Sequence, residues 1–352
     1  MKIHNFSAGP SILPKEVFEQ SAQAVLDFNG SGLSILEISH RSKDFVAVME
    51  EARQRVRTLM QLPEHYHVLY LAGGASLQFL MTPYNLMKEQ GGKAAYVDSG
   101  SWAANAIKEA KKLGTVDIVG SSKEKHYSYI PKDFTVDDSY DYFHCTSNNT
   151  IYGTQMQEFP KVPVPVCCDM SSDIFSRKLD FSQFDLIYAG AQKNMGPAGV
   201  TLVVVNEEIL GKTGRTIPSY LDYQNHIAKE SMFNTPPVFN VYATLLTLRH
   251  LEKTGGIEAA EKRNRAKAEL LYNEIDRNDH FQTFCVKEDR SVMNVSFELL
   301  SPELKEVFDQ RCKEAGISGL NGHRSLGGYR ASIYNAMPIE SVEVLVSVMQ
   351  SL

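Results

Sequence analysis

The sequence predicts an α/β protein: a large domain with a mostly parallel central sheet covered by helices, plus a smaller C-terminal α+β domain. Three observations lead there. Short apolar runs such as HVLYLA (67–72), KAAYVD (93–98) and VTLVVV (200–205) alternate with stretches of helical periodicity. That alternation places helices on both faces of a parallel sheet. From about residue 260 the pattern changes to a shorter mixture of helices and strands. Finally, a chain of 352 residues suits about two domains at roughly 100–200 residues each. The expected division is 15–259 for the large domain, with 1–14 and 260–352 forming the small one.

Taken in order, Pro14 opens a helix in which Val17, Phe18, Ser21, Val25 and Phe28 share a face, because proline suits the first turn. A second helix is expected from Lys43 to Met60, with Phe45, Val48, Met49, Ala52, Val56 and Leu59 inward. The strand 67–72 leads through GGAS into a helix. The strand 93–98 leads through SGSW into another, which Gly114 stops near Leu113. Further strands are expected at 116–119, 140–144, 163–168, 184–188 and 200–205. Residues 211–237 read as a loose segment rich in Gly, Thr and Pro. Long helices follow from Val238 and over 257–277. The C-terminal part reads as strand 292–298, helix 302–315, the basic glycine-rich loop GLNGHRSLGGYR, strand 330–334 and helix 338–351.

The composition is that of an ordinary globular protein, 43% hydrophobic and 22% charged with a net charge of −6. An acidic balance argues against nucleic-acid binding, which leaves a basic footprint. No apolar run approaches the ~20 residues that cross a membrane, so no membrane partner is expected. MKIHNFSAGPSILP lacks the apolar core of a signal peptide, and the expected location is cytoplasmic. Five cysteines (Cys145, Cys167, Cys168, Cys285, Cys312) show no metal-ligand spacing, so no metal site is expected. Cys167 and Cys168 are neighbours in a strand and point to opposite faces. All five read as reduced thiols.

The chemistry concentrates where apolar strands end. FDLIYAGAQKNMGPAG (184–199) delivers one lysine, Lys193, into a loop of small residues, and VPVCC ends on one carboxylate, Asp169. Pyridoxal phosphate needs an amine to hold its aldehyde and an anion to keep its ring nitrogen protonated. By position alone Asp169 suits an N-cap equally well, and Lys193 a solvated surface. GGAS (73–76) is a glycine-rich turn entering a helix, where backbone amides hold phosphate or a turn merely needs positive φ. Trp102, the single tryptophan, suits either the core or stacking on a planar ring. The segments Gly73–Ser76, Asp98–Trp102, Asp169 and Lys193 all fall at the carboxyl edge of the sheet, where such folds bind ligands. The basic motifs SHR (39–41) and GHRSLGGYR (322–330) suit a substrate with more than one anionic group.

NFSAGPSILP, ISHRSKDF, the strand-end Asp169, YAGAQKNMGPAG, NTPPVF and GHRSLGGYRAS, in this order, closely resemble the phosphoserine aminotransferase family. It belongs to the class V, fold-type I pyridoxal-phosphate enzymes. The resemblance spans nearly the whole chain. It implies a homodimer, with active sites at its interface, that interconverts 3-phosphohydroxypyruvate plus glutamate with O-phosphoserine plus 2-oxoglutarate in serine biosynthesis. In many bacteria such enzymes also serve the phosphorylated hydroxythreonine step of pyridoxine synthesis.

Carried over residue by residue, the resemblance makes Lys193 the Schiff-base lysine and Asp169 the partner of the ring nitrogen. Trp102 becomes the stacking residue and Thr150 the partner of the ring hydroxyl. Ala75, Ser76 and Gln192 take the phosphate side, and Asn234 and Thr235 reach that phosphate from the other subunit. Ser7 and Arg41 match the substrate-carboxylate site with Arg330 beside it. His40, His323 and Arg324 match residues that select the substrate's phosphate across the dimer interface. Some members carry arginine where this chain has Ser76.

Three rival readings are open to test. Another class V aminotransferase, such as an alanine–glyoxylate enzyme, would differ in its preferred amino donor. A cysteine desulfurase needs a cysteine on a mobile loop, whereas Cys285 falls in a strand-like stretch and Cys312 in a helix. A non-catalytic protein that binds a phosphorylated ligand would use GGAS and the arginines without Lys193, and would be colourless.

Overall fold

The computed structural model describes residues 2–352. A seven-stranded sheet is built from β2 (Tyr66–Leu71), β3 (Lys93–Asp98), β4 (Thr115–Ser121), β5 (Tyr142–Thr146), β8 (Val166–Asp169), β9 (Leu186–Gly190) and β10 (Thr201–Asn206). The short strands β1 (His4–Asn5), β6 (Asn148–Asn149) and β7 (Thr154–Gln155) lie outside it. Strand order is β2-β10-β9-β8-β5-β3-β4. All neighbours are parallel except β10, which runs antiparallel to both β9 and β2.

Both sheet faces are covered, as continuous apolar strands require. Successive residues of β10 show it: Leu202 and Val204 join one apolar cluster, Val203 and Val205 another. The first cluster includes α1 (Lys15–Leu26), α2 (Lys43–Met60) and α6 (Val238–Lys253); the second includes α3 (Gly74–Leu86), α4 (Ser101–Ala110) and α5 (Tyr223–Ala228). Cys168 and Cys167 divide between the same two faces, and all five cysteines are free and buried.

Beyond α6, α7 (Gly256–Arg277) leads to a three-stranded antiparallel sheet of β11 (Phe281–Thr283), β12 (Asn294–Leu299) and β14 (Tyr329–Ser332). The helices α8 (Lys305–Glu314) and α9 (Ile339–Gln350) complete this part. A separate apolar cluster holds it together, including Phe6, Leu271, Phe297, Phe308 and Leu345. The N-terminus joins it through β1, which pairs in parallel with β13 (Ile317–Ser318).

Several expectations need correction. In α1 the buried line is Val17, Ser21 and Ala24, while Phe18 is 54% exposed. The apolar stripe is one residue wide there, and Phe18 lies about 100° round the helix from Val17. In α2, Leu59 packs half-buried against the core as expected, and Met60 beside it is buried as well. The helix after SGSW ends at Ala110, and its last turn before Gly114 is irregular. The loose segment contains the one-and-a-half-turn helix α5, capped by the Asp222 carboxylate on the Gln224 N–H. Cys285 lies in a bend past β11, not in a strand. Among the described residues no helix is long and apolar enough to cross a membrane.

Candidate active site

The carboxyl ends of β2, β5, β8 and β9 open onto one cavity of about 330 Å³, within the ~300–1,000 Å³ typical of small-molecule sites. Its lining includes Ala75, Ser76, Trp102, Thr150, Asp169, Gln192, Lys193, His323 and Arg330. Residues scattered from 75 to 330 thus converge on one volume. A larger cavity of about 420 Å³, walled by Pro131, Phe134, Met156 and Phe159, lies elsewhere and includes neither Lys193 nor Asp169.

Lys193 arrives on the connection from β9 to β10, where Ala191 N–H donates to Val200 O at 3.0 Å. Its Nζ donates to Thr150 Oγ1 at 2.9 Å. Burial against the sheet pushes its pKa from 10.5 down to about 8, opposed by the negative charge of Asp169 and aided by the positive charge of Arg330. The side chain remains partly open to the cavity. A lysine so placed is far richer in nucleophilic amine than a surface lysine.

The N-terminal loop fixes this residue from above. Ser11 N–H donates to Gln192 O at 3.0 Å and Ser11 Oγ to Lys193 O at 2.6 Å. Gly9 has φ +143°, and a Cβ there would sit 3.4 Å from both Gln192 Cγ and Lys193 Cγ. Only a residue tolerant of that backbone fits so close to the lysine stem.

Asp169 ends β8 and is buried. Its Oδ1 accepts the Ser171 N–H at 2.9 Å, so it does cap the following turn, yet it also faces the cavity. Burial raises its pKa, while Ser171 and the charge of Lys193 hold it down. Behind it, Ser147 Oγ donates to Asp169 O at 3.0 Å and also to Asp173 Oδ1. Asp173 is paired with Arg177 at 3.4 Å, both almost fully buried. Neither residue stood out in the sequence, because a buried pair four residues apart on a turn has no periodic signature.

Gly73 precedes α3 with φ +97°, and a Cβ there would lie 2.5 Å from Leu77 Cδ2. The helix begins at Gly74, and Gly74, Ala75 and Ser76 line the cavity. First-turn amides have no acceptor within their own helix and suit an anion. Trp102 stands at the start of α4, 38% exposed, on the cavity wall; it is not a core residue.

Arg330, on β14, is partly buried, and its Nε has no acceptor among the described residues. Burial lowers its pKa, and no carboxylate pairs with it among the described residues. An unpaired guanidinium beside the lysine suits a ligand carboxylate. His323, expected to act across a subunit boundary, lines the cavity of its own chain.

The remaining expected residues lie off the cavity wall. Ser7 precedes the lining residues Ala8 and Gly9, and its N–H is held by Asn5 Oδ1 at 3.0 Å. Arg41 and Arg324 are exposed, and His40 half-buried. Asn234 and Thr235 are exposed beside Tyr70, Ala72 and Tyr220, apart from Lys193. The lining also includes Ala8, Phe79, Thr146, Asn148, Ile151 and Ser172, apolar, hydroxyl or amide side chains that carry no chemical flag in a sequence.

This donor set fits pyridoxal phosphate: an amine of lowered pKa, a buried carboxylate, free helix amides and an exposed indole around a volume of suitable size. The fold and the site together define a class of enzyme. The aminotransferase class-V profile matches residues 3–345, and the chain belongs to that family. Within it the chain groups with phosphoserine aminotransferases. The protein of that name from Flavobacterium johnsoniae is 69% identical, over 100% of this chain and 99% of its own. The solved structure of phosphoserine aminotransferase from Bacillus circulans subsp. alkalophilus superposes with a TM-score of 0.96 at 44% identity, covering 99% of this chain and 98% of that one. A pyridoxal-phosphate-bound structure of the enzyme from Trichomonas vaginalis gives 0.93 at 34% identity, covering 99% and 100%.

Proposed function

We propose that this chain binds pyridoxal phosphate and transfers an amino group reversibly between glutamate and 3-phosphohydroxypyruvate, giving O-phospho-L-serine and 2-oxoglutarate in two half-reactions. The observation that carries the reading is the meeting of Lys193, Asp169, Trp102, the first turn of α3 and the unpaired Arg330 around one cavity. The relatives named above share the assignment.

In this reading Lys193, Asp169, Trp102, Thr150, Gln192, Ala75 and Ser76 hold the cofactor. When bound, it supplies an electron sink that stabilises negative charge at the substrate's α-carbon. Lys193 Nζ takes the α-proton and returns it as general base and acid, with Thr150 Oγ1 orienting the amine. Arg330 binds the α-carboxylate through paired, charge-assisted hydrogen bonds, with Ser7 and Arg41 beside it. His323 and Arg324 answer the far anionic end of the substrate, with His40. Asn234, Thr235, His40 and Arg41 stand away from their own chain's cavity, which supports a homodimer in which they complete the neighbouring site. Phe18 and Leu26 on α1, with Leu33 and Leu36 in the loop after it, are large apolar side chains left exposed, and they support the same assembly. The reading includes the expected division at residues 15 and 260, supported by the separate apolar clusters. It also places the enzyme in the cytoplasm and in serine biosynthesis, with the pyridoxine-pathway substrate as a second acceptor to assay.

Purified protein should absorb in the near-ultraviolet to visible range, and Lys193→Ala should lose both that band and turnover. Phosphoserine should outpace alanine as amino donor. A colourless protein, or equal rates with the two donors, overturns the reading.

A further inference from the structure

Residues 321–328, NGHRSLGG, close into a small loop that carries His323 and Arg324. Its neck is pinched: Gly322 N–H donates to Gly328 O at 2.9 Å, and a Cβ on Gly322 would fall 1.8 Å from Gly327 O. Its tip is bonded to itself. Leu326 N–H and Gly327 N–H both donate to His323 O, at 2.9 and 2.8 Å, and His323 Nδ1 meets Ser325 Oγ at 2.7 Å. Among the described residues, every hydrogen bond that residues 322–327 make therefore stays inside the loop. Glycines with φ +80° and +56° (Gly327 and Gly328) form its exit, conformations that other residues rarely adopt.

One apolar side chain ties the tip down. Leu326, half-buried, packs on Tyr127, Ile151 and Tyr152, a small cluster separate from the main cores. The cluster belongs to the cavity wall. Ile151 lines the cavity beside Thr150, and Tyr152 OH meets Ser101 Oγ, next to Trp102, at 2.8 Å. The loop itself grows from the other unit, between β13 and β14.

We infer that Leu326 is a positioning residue: seated on Tyr127, Ile151 and Tyr152, it holds the His323–Arg324 turn at the cavity and thereby sets the preference for substrates with an anionic far end. The preference rests on the reaction proposed above; the seating does not. The contact is apolar and lies outside the reacting groups, so its loss should loosen the turn without touching proton transfer.

The test uses the full-length holoenzyme with Leu326→Ser and the conservative Leu326→Met. Amide hydrogen exchange over 321–328 should quicken roughly tenfold in Leu326→Ser and stay near wild type in Leu326→Met. Single-turnover kcat/KM with phosphoserine and with glutamate should fall roughly tenfold in Leu326→Ser, chiefly through KM, while that with alanine holds. Unchanged exchange in Leu326→Ser overturns the seating. An equal loss with alanine overturns the role in selectivity. A wild-type enzyme that does not distinguish phosphoserine from alanine overturns the reaction itself, and the exchange result then decides the seating alone.

Discussion

The lowered pKa of Lys193 has a consequence that can be measured without turnover. A lysine of pKa 10.5 is neutral in about one molecule in 3,000 at neutral pH, whereas one near 8 is neutral in about a tenth. The enrichment in nucleophile is about 300-fold, and the same displacement costs the folded, cofactor-free protein about 3 kcal/mol below pH 8. Because the folded value is depressed, that cost is present below it and is relieved as pH rises from about 8 towards 10.5. The assay is the second-order rate at which cofactor-free protein takes up pyridoxal phosphate, followed by absorbance across pH. The rate should climb tenfold per unit, then level near pH 8. In Asp169→Asn the plateau should begin at lower pH, because the Asp169 charge is what holds the amine's pKa up against burial. A rate still climbing tenfold per unit beyond about pH 9, or an unmoved midpoint in Asp169→Asn, would refute the electrostatic account of the site.

Other expectations follow from the same geometry. Arg330→Ala should keep the cofactor's absorbance but lower kcat/KM about 100-fold for phosphoserine and glutamate alike, the loss of one paired, charge-assisted contact; a loss confined to one substrate would assign the α-carboxylate elsewhere. Gly73→Ala forces a Cβ against Leu77 at positive φ and should cost about 1–3 kcal/mol in urea unfolding while weakening uptake of pyridoxal phosphate. Wild-type stability and uptake together would remove that turn from the phosphate site. Arg177→Met strands the buried Asp173 carboxylate and should cost about 3–5 kcal/mol, with Arg177→Met/Asp173→Asn milder in the same denaturation assay. If the double variant is no milder than the single, the pair is not coupled.

The elements with a strong period were legible in the sequence. α2 begins and ends at the expected residues, and β3 likewise. The strand-end rule also brought Asp169 and Lys193 to one cavity. What escaped has physical reasons. β1 and β13 are two residues each, too short for any period, and exist only because tertiary contact pairs them. Phe18 is apolar and falls beside the right helical face, yet periodicity fixes only a direction; what covers that direction depends on the surrounding surface. Thr150 entered through resemblance, not through its residue type, since a threonine in a loop signals nothing until Lys193 Nζ is 2.9 Å away. Asp173 and Arg177 were invisible for the converse reason. Charged residues read as surface in a sequence, and only coordinates show that they neutralise each other below the site.

The reversal of β10 shapes how the site can assemble. A parallel neighbour for β9 would have required a long crossover, usually a helix, between the two strands. Instead the chain turns back directly, and Thr201 faces Gly190 across the turn. Lys193 thus rides on a ribbon whose two edges are close in sequence, and contacts of that kind form quickly because little loop entropy is lost. The arm bearing the reactive nitrogen can take shape early in folding, leaving the slower, long-range arrival of Asp169 and the N-terminal loop to close around an amine already in place.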